Sequence, residues 1–67
     1  MEPTKEAKLA IIEQETTMYV NTRWQLEMRH RVNKKLGWTS EQLKAIEDEL
    51  VNIEKTIEEL ENIKAEL

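Results

Sequence analysis

The feature that most constrains this chain is a regular pattern of leucine and isoleucine in its second half. Large aliphatic residues recur at alternating spacings of three and four: Leu43, Ile46, Leu50, Ile53, Ile57, Leu60 and, after an interruption at Lys64, Leu67. This spacing places its members on one stripe of an α-helix and is typical of a coiled-coil seam. The sequence therefore predicts a long helix over about 40–67, whose first six stripe residues form the core and the oligomer seam.

Residues that interrupt helices are almost absent from the chain. Its 67 residues include one glycine, Gly37, and one proline, Pro3. Glycine and proline are the main punctuators of helices, so the chain has one internal place to turn. We expect a first helix over about 3–36, a turn at 37–39 and the second helix from about 40. The predicted fold class is all-α: one domain over 1–67, a coiled-coil-like hairpin of two long antiparallel helices.

Several local signals place the turn at Gly37. A glycine after the last helical residue suits the left-handed backbone that commonly ends a helix. Thr39 is then the expected N-cap of the second helix, and Gln42, three residues later, completes a capping box. Trp38 and Leu43 stand at the two positions of a hydrophobic staple. The sequence therefore predicts that Gly37, Trp38 and Thr39 close the hairpin and that the indole covers its corner.

The first helix is expected to turn one broad apolar face toward the second. The members of this face are Ile11, Ile12, Met18, Tyr19, Leu26, Val32 and Leu36. If the hairpin closes at Gly37, facing residues have numbers that sum to about 75. Arg29 then comes near Glu47, and Glu15 falls within a turn of Lys64. We expect such charged pairs to fix the register of the two helices.

A second apolar stripe occupies another side of the first helix. It consists of Val20, Trp24 and Met28 and continues through Arg31 and Lys35. A helix that is apolar on two sides is normally contacted on two sides, and a hairpin of this size buries little surface alone. We therefore expect a homodimeric four-helix bundle. Because Trp, Met and Arg are enriched at interfaces, the stripe is the predicted binding surface for another protein, unless it closes the dimer.

Charge is distributed unevenly along the chain. Residues 22–36 carry five Lys or Arg against one Glu, whereas residues 37–67 carry three Lys against nine acidic residues. Antiparallel packing would place these segments side by side and neutralise them. The alternative hypothesis is nucleic-acid binding through the basic segment 23–35, with Trp24 as a stacking surface. The net charge of −4 and the spread of the cations around the helix argue against it.

Residue types that carry catalysis or bind metals are scarce. The chain has no cysteine and one histidine, His30. Glu27 and His30 have the spacing that di-iron helical bundles use, but Arg29 and Arg31 beside them would repel a cation. One glycine cannot build a phosphate-binding loop, and no Ser–His–Asp arrangement is recognisable. The sequence predicts no catalytic residue, no metal and no cofactor, so an enzyme is not expected.

The remaining class of function is protein interaction. No apolar run approaches the roughly 20 residues of a membrane span, and the polar first residues are unlike a signal peptide. A cytoplasmic protein without a membrane partner is therefore expected. The sequence predicts a small non-catalytic module, an adaptor, regulator or inhibitor, that self-associates through its helices and binds another protein. The alternatives are the nucleic-acid-binding protein described above and a purely structural assembly unit.

Overall fold

The computed structural model describes all 67 residues and contains two α-helices and no strand. Helix α1 spans Lys5–Lys35 and helix α2 spans Ser40–Glu66. Thr4 caps the start of α1, because its Oγ1 accepts a hydrogen bond from the backbone N–H of Ala7 at 3.2 Å. The molecule measures 51 × 18 × 14 Å, the shape of two helices lying side by side. The predicted all-α hairpin is confirmed.

The turn between the helices is a Schellman motif. Gly37 has a φ of +94°, in the left-handed region that glycine adopts without steric cost. The N–H of Trp38 donates to the carbonyl of Asn33 at 3.0 Å, and the N–H of Gly37 donates to the carbonyl of Lys34 at 3.2 Å. These two bonds define the motif and satisfy carbonyl groups that the end of α1 would otherwise leave unpaired.

A capping box starts α2. Thr39 Oγ1 accepts a hydrogen bond from the N–H of Gln42 at 3.2 Å, and Gln42 Oε1 accepts one from the N–H of Thr39 at 2.9 Å. The box satisfies two donors that a helix start leaves free. Trp38 retains 42% of its surface exposed, whereas Leu43 is buried. The indole therefore covers the corner only in part.

Helix α2 turns its aliphatic stripe toward α1. Leu43 and Ile57 are buried. The other stripe residues, Ile46, Leu50, Ile53, Leu60 and Leu67, are half-buried. The interruption at Lys64 is exposed. One apolar stripe thus supplies the apolar part of the α2 side of the interface, with its edges still open to solvent.

Helix α1 meets this stripe with a narrower face than expected. Its interface residues continue the spacing of three and four: Leu9, Ile12, Thr16, Tyr19, Arg23, Leu26, His30 and Asn33. The prediction was wrong for four residues that are exposed instead: Ile11, Met18, Val32 and Leu36. Successive helical residues point about 100° apart, so Ile11 and Ile12 cannot both face α2. Ile12 does so and is 8% exposed, whereas Ile11 is 51% exposed.

The register of the two helices also differs from the predicted one. His30 Nε2 lies 2.9 Å from Glu47 Oε2, and Lys64 Nζ lies 3.8 Å from Glu13 Oε1, so both pairs have numbers that sum to 77. The expected pairs, Arg29–Glu47 and Glu15–Lys64, are not formed. A helical side chain leans toward the N-terminus of its own helix. In antiparallel helices the side chains of the two helices therefore lean in opposite directions. Two side chains that meet each belong to a residue about one position further along its helix than the residues whose Cα atoms are level, which raises the sum from 75 to 77.

The core of the hairpin is small. The four buried residues are Ile12, Leu26, Leu43 and Ile57, and no polar or charged residue is buried. Domains of about 60 residues that fold alone bury about 60% of the surface of the unfolded chain. Two helices in contact along one seam leave their other sides in water, and eleven large apolar residues of this hairpin are exposed.

Candidate protein-interaction surfaces

The exposed apolar residues of α1 fall on two separate sides of the helix. At about 100° per residue, these two sides and the side that faces α2 lie roughly 120° apart. One exposed side carries the predicted stripe that contains Trp24. The other carries the residues that were expected to face α2. The hairpin therefore presents two apolar surfaces rather than one.

The Trp24 stripe consists of Val20, Trp24, Met28, Arg31 and Lys35, and all five residues are exposed. Trp24 is the most open of its apolar members, with 63% of its surface accessible. Trp24, Met28 and Arg31 come together with Glu27 around a shallow depression of about 200 Å³. Val20 lies one helical turn before this depression and Lys35 one turn after it. The stripe thus combines an accessible aromatic ring with charges of both signs.

Sequence reasoning did not include Glu27 in this surface. The signal was available, since Glu27 precedes Arg31 by four residues, the spacing at which an acidic and a basic side chain meet on a helix. Glu27 also lines a second depression with His30, Glu47 and Leu50. Its carboxylate therefore borders both the Trp24 stripe and the seam between the helices.

We call the second surface the Ile11 face. It is defined by Ile11, Met18, Val32 and Leu36 of α1 and Ile63 of α2, which are 39–72% exposed. Ile11 and Ile63 line one apolar depression at the open end of the hairpin, together with Leu67. The face therefore spans both helices. Its signal in the sequence is the spacing of Ile11, Met18 and Val32, which are separated by multiples of seven and share one side of a helix.

The polar residues of the Ile11 face are Glu15, Thr22, Gln25 and Arg29, which follow the same side of α1. The ion pairs of the hairpin are Lys8–Glu2 and Lys64–Glu13, and Glu47 contacts His30. Glu15 and Arg29 thus form no ion pair. Thr22 is locally satisfied, because its hydroxyl donates to the carbonyl of Met18 at 3.0 Å. The α1 part of the face therefore carries two unpaired opposite charges among apolar side chains.

The single histidine belongs to the interface between the helices. His30 and Glu47 meet at 2.9 Å, and Glu27 borders the same depression. No group of three His, Asp or Glu side chains is placed to hold a metal ion. The structure therefore places His30 in a contact between the two helices.

The basic residues of segment 23–35 point to different sides of α1. Arg23 and His30 occupy positions of the seam with α2. Arg29 lies among the residues of the Ile11 face, and Arg31 and Lys35 lie on the Trp24 stripe. Proteins that bind single-stranded nucleic acid arrange cations along one groove that follows the backbone. These cations do not form one such track.

Neither helix contains a stretch long and apolar enough to cross a membrane. Comparison with protein-family models, with curated proteins and with solved structures finds no match to this chain. Its function is therefore inferred from the two surfaces themselves.

Proposed function

We propose that the chain is a small, non-catalytic, cytoplasmic protein-interaction module that self-associates and binds another protein as an adaptor, regulator or inhibitor. The observation that carries this proposal is the presence of two separate exposed apolar surfaces on a hairpin with four buried residues. Exposed apolar residues that gather on one side of a small protein can mark an interaction site. Two such patches on different sides can be covered by two different partners.

The support for self-association is the incomplete core. The chain has no disulfide to stabilise a small fold, and oligomerisation is the common remedy for a chain of this length. A second hairpin packed against the first would form a homodimeric four-helix bundle and shield the open edges of the α2 stripe. In this proposal the dimer supplies the core that one hairpin lacks.

The support for a second protein partner is the composition of the Trp24 stripe. Trp, Met and Arg are the residue types enriched at protein interfaces and their hot spots. Glu27 borders the depression beside Trp24, and Glu47 lies next to Glu27 across the seam. This arrangement suits a partner with an apolar pocket for the indole, basic groups opposite Glu27 and acidic groups opposite Arg31 and Lys35.

The test is affinity capture from nuclease-treated native lysate with the tagged parent, Trp24→Ala and Val51→Ala. Val51 is a matched control, because it is 52% exposed and lies on the other helix. We expect a specific protein to bind the parent and Val51→Ala and to be lost with Trp24→Ala. Circular dichroism should give the same helix content for all three, so that the loss reports binding and not folding.

Two results would contradict the proposal. A protein that binds Trp24→Ala as well as the parent would remove the stripe from the interface. Recovery of bound material only when nuclease is omitted, with affinity that falls steeply as salt rises, would favour the nucleic-acid alternative, because phosphate contacts release counterions.

A further inference from the structure

We propose that the Ile11 face is the dimer interface and that a second copy of this chain is seated on it in one defined register. In this register the two α1 helices lie antiparallel about a two-fold axis at Thr22. The inference rests on the self-association proposed above and adds which surface is used and which residues meet. It leaves the Trp24 stripe free for the other partner.

The first argument is the symmetry of charge on this face. Glu15 stands seven residues before Thr22, and Arg29 stands seven residues after it. About a two-fold axis at Thr22, Glu15 of each copy faces Arg29 of the other, so two opposite-charge contacts form. A parallel arrangement would instead place Glu15 against Glu15 and Arg29 against Arg29. The charge pattern therefore selects the antiparallel pairing.

The apolar residues agree with the same axis. Ile11 faces Val32 of the second copy, and Met18 faces Gln25 of the second copy, each within one residue of the ideal register. Thr22 on the axis brings no unpaired donor into the interface, because its hydroxyl already bonds to the carbonyl of Met18. The middle of the face can therefore be covered without burying an unsatisfied hydroxyl.

The charges of the Ile11 face are free to pair across a dimer. Glu15 and Arg29 have no partner within the hairpin, so pairing them across the dimer breaks no existing contact. On the side of the Trp24 stripe, Glu27 and Glu47 lie close together around one depression. His30, which also lines this depression, already contacts Glu47 at 2.9 Å, so this carboxylate is engaged within the hairpin.

The side of the hairpin that carries the Ile11 face is large enough for a stable dimer. The hairpin is 51 Å long and 18 Å wide. A flat side of these dimensions offers roughly 900 Å², and standard protein interfaces bury about 800 Å² on each partner. The Ile11 face extends over this whole length, because Ile11 and Ile63 lie at the open end and Leu36 lies at the turn.

The test uses two charge reversals, Glu15→Arg and Arg29→Glu, studied alone and as an equimolar mixture by sedimentation and native mass spectrometry. In its own homodimer each variant places like charges opposite each other twice. We expect each to dimerise at least about ten-fold more weakly than the parent at low salt. In the mixture every arginine meets a glutamate, so we expect heterodimers with an affinity close to that of the parent.

The matched control is the same pair of reversals on the other side, Glu27→Arg and Arg31→Glu, which should leave dimerisation unchanged. Undiminished dimers of Glu15→Arg or Arg29→Glu, or a mixture no tighter than the single variants, would overturn this register while the proposed self-association still stands. A parent that is trimeric or tetrameric would overturn the two-fold pairing. A parent that stays monomeric at micromolar concentration would overturn both the inference and the proposed self-association.

Discussion

Gly37 is the one residue of the chain with a left-handed backbone conformation. A Cβ atom built at this position would meet no atom within 4 Å. The space around Gly37 therefore does not exclude a side chain. The requirement for glycine comes from the backbone, since an L-residue in this region costs about 1–2 kcal/mol.

Replacing Gly37 should therefore destabilise the hairpin by a purely conformational effect. We expect Gly37→Ala to lower the free energy of unfolding by about 1 kcal/mol, and Gly37→Asn to lower it less, because asparagine tolerates the left-handed region. Urea denaturation followed by circular dichroism measures both. If Gly37→Ala unfolds at the urea concentration of the parent, the turn does not depend on this conformation, and a single continuous helix has to be considered.

The two helices differ in how far their buried faces could be predicted from the sequence. Helix α2 has one apolar stripe, and its helical periodicity leaves a single choice of face. The turn could be predicted because its signals are local: a glycine for positive φ, and Thr39 three residues before Gln42. The two signals of the turn depend on residues within one or two turns of helix, so they can be recognised without knowledge of the partner helix.

The face of α1 could not be predicted in the same way. Apolar residues occur on three of its sides, and Ile11 and Ile12 favour different ones. The seam that α1 uses contains Thr16, Arg23 and His30, so its periodicity is weak. Which side faces α2 depends on the packing between the helices, which the α1 sequence does not contain. The exposure of the Trp24 stripe follows from its spacing, whereas its binding role remains a prediction.

The register of α1 against α2 can be tested with double-mutant cycles. We expect His30 and Glu47 to show a coupling energy of about 0.5 kcal/mol at low salt, because they form a hydrogen-bonded pair that is partly open to solvent. Alanine variants of Arg29 and Glu47 should show no coupling, because those side chains form no ion pair. Denaturation of the single and double variants provides the measurement, and coupling to Arg29 in place of His30 would contradict this register.

At the scale of the whole molecule, folding and association are expected to be one process. A hairpin 51 Å long with four buried residues has little stability of its own. The local devices, a Schellman turn and a capping box, define where the chain reverses, but each contributes only about 1 kcal/mol. We therefore expect the larger part of the stability to come from apolar surface that a second copy covers.

The melting temperature should therefore rise with protein concentration. For a dimer that unfolds to single chains, each ten-fold increase in concentration stabilises the folded state by about 1.4 kcal/mol. This raises the melting temperature by roughly 5 °C for a molecule of this size.

Met18→Glu and Val51→Glu form a matched pair of variants, because these residues are 50% and 52% exposed in the single hairpin. Thermal melts over a hundred-fold range of concentration should show the dependence in the parent and in Val51→Glu. Met18→Glu, which changes the Ile11 face, should melt lower and with little dependence. A parent whose melting temperature does not change over this range would show that the hairpin is stable without a second copy.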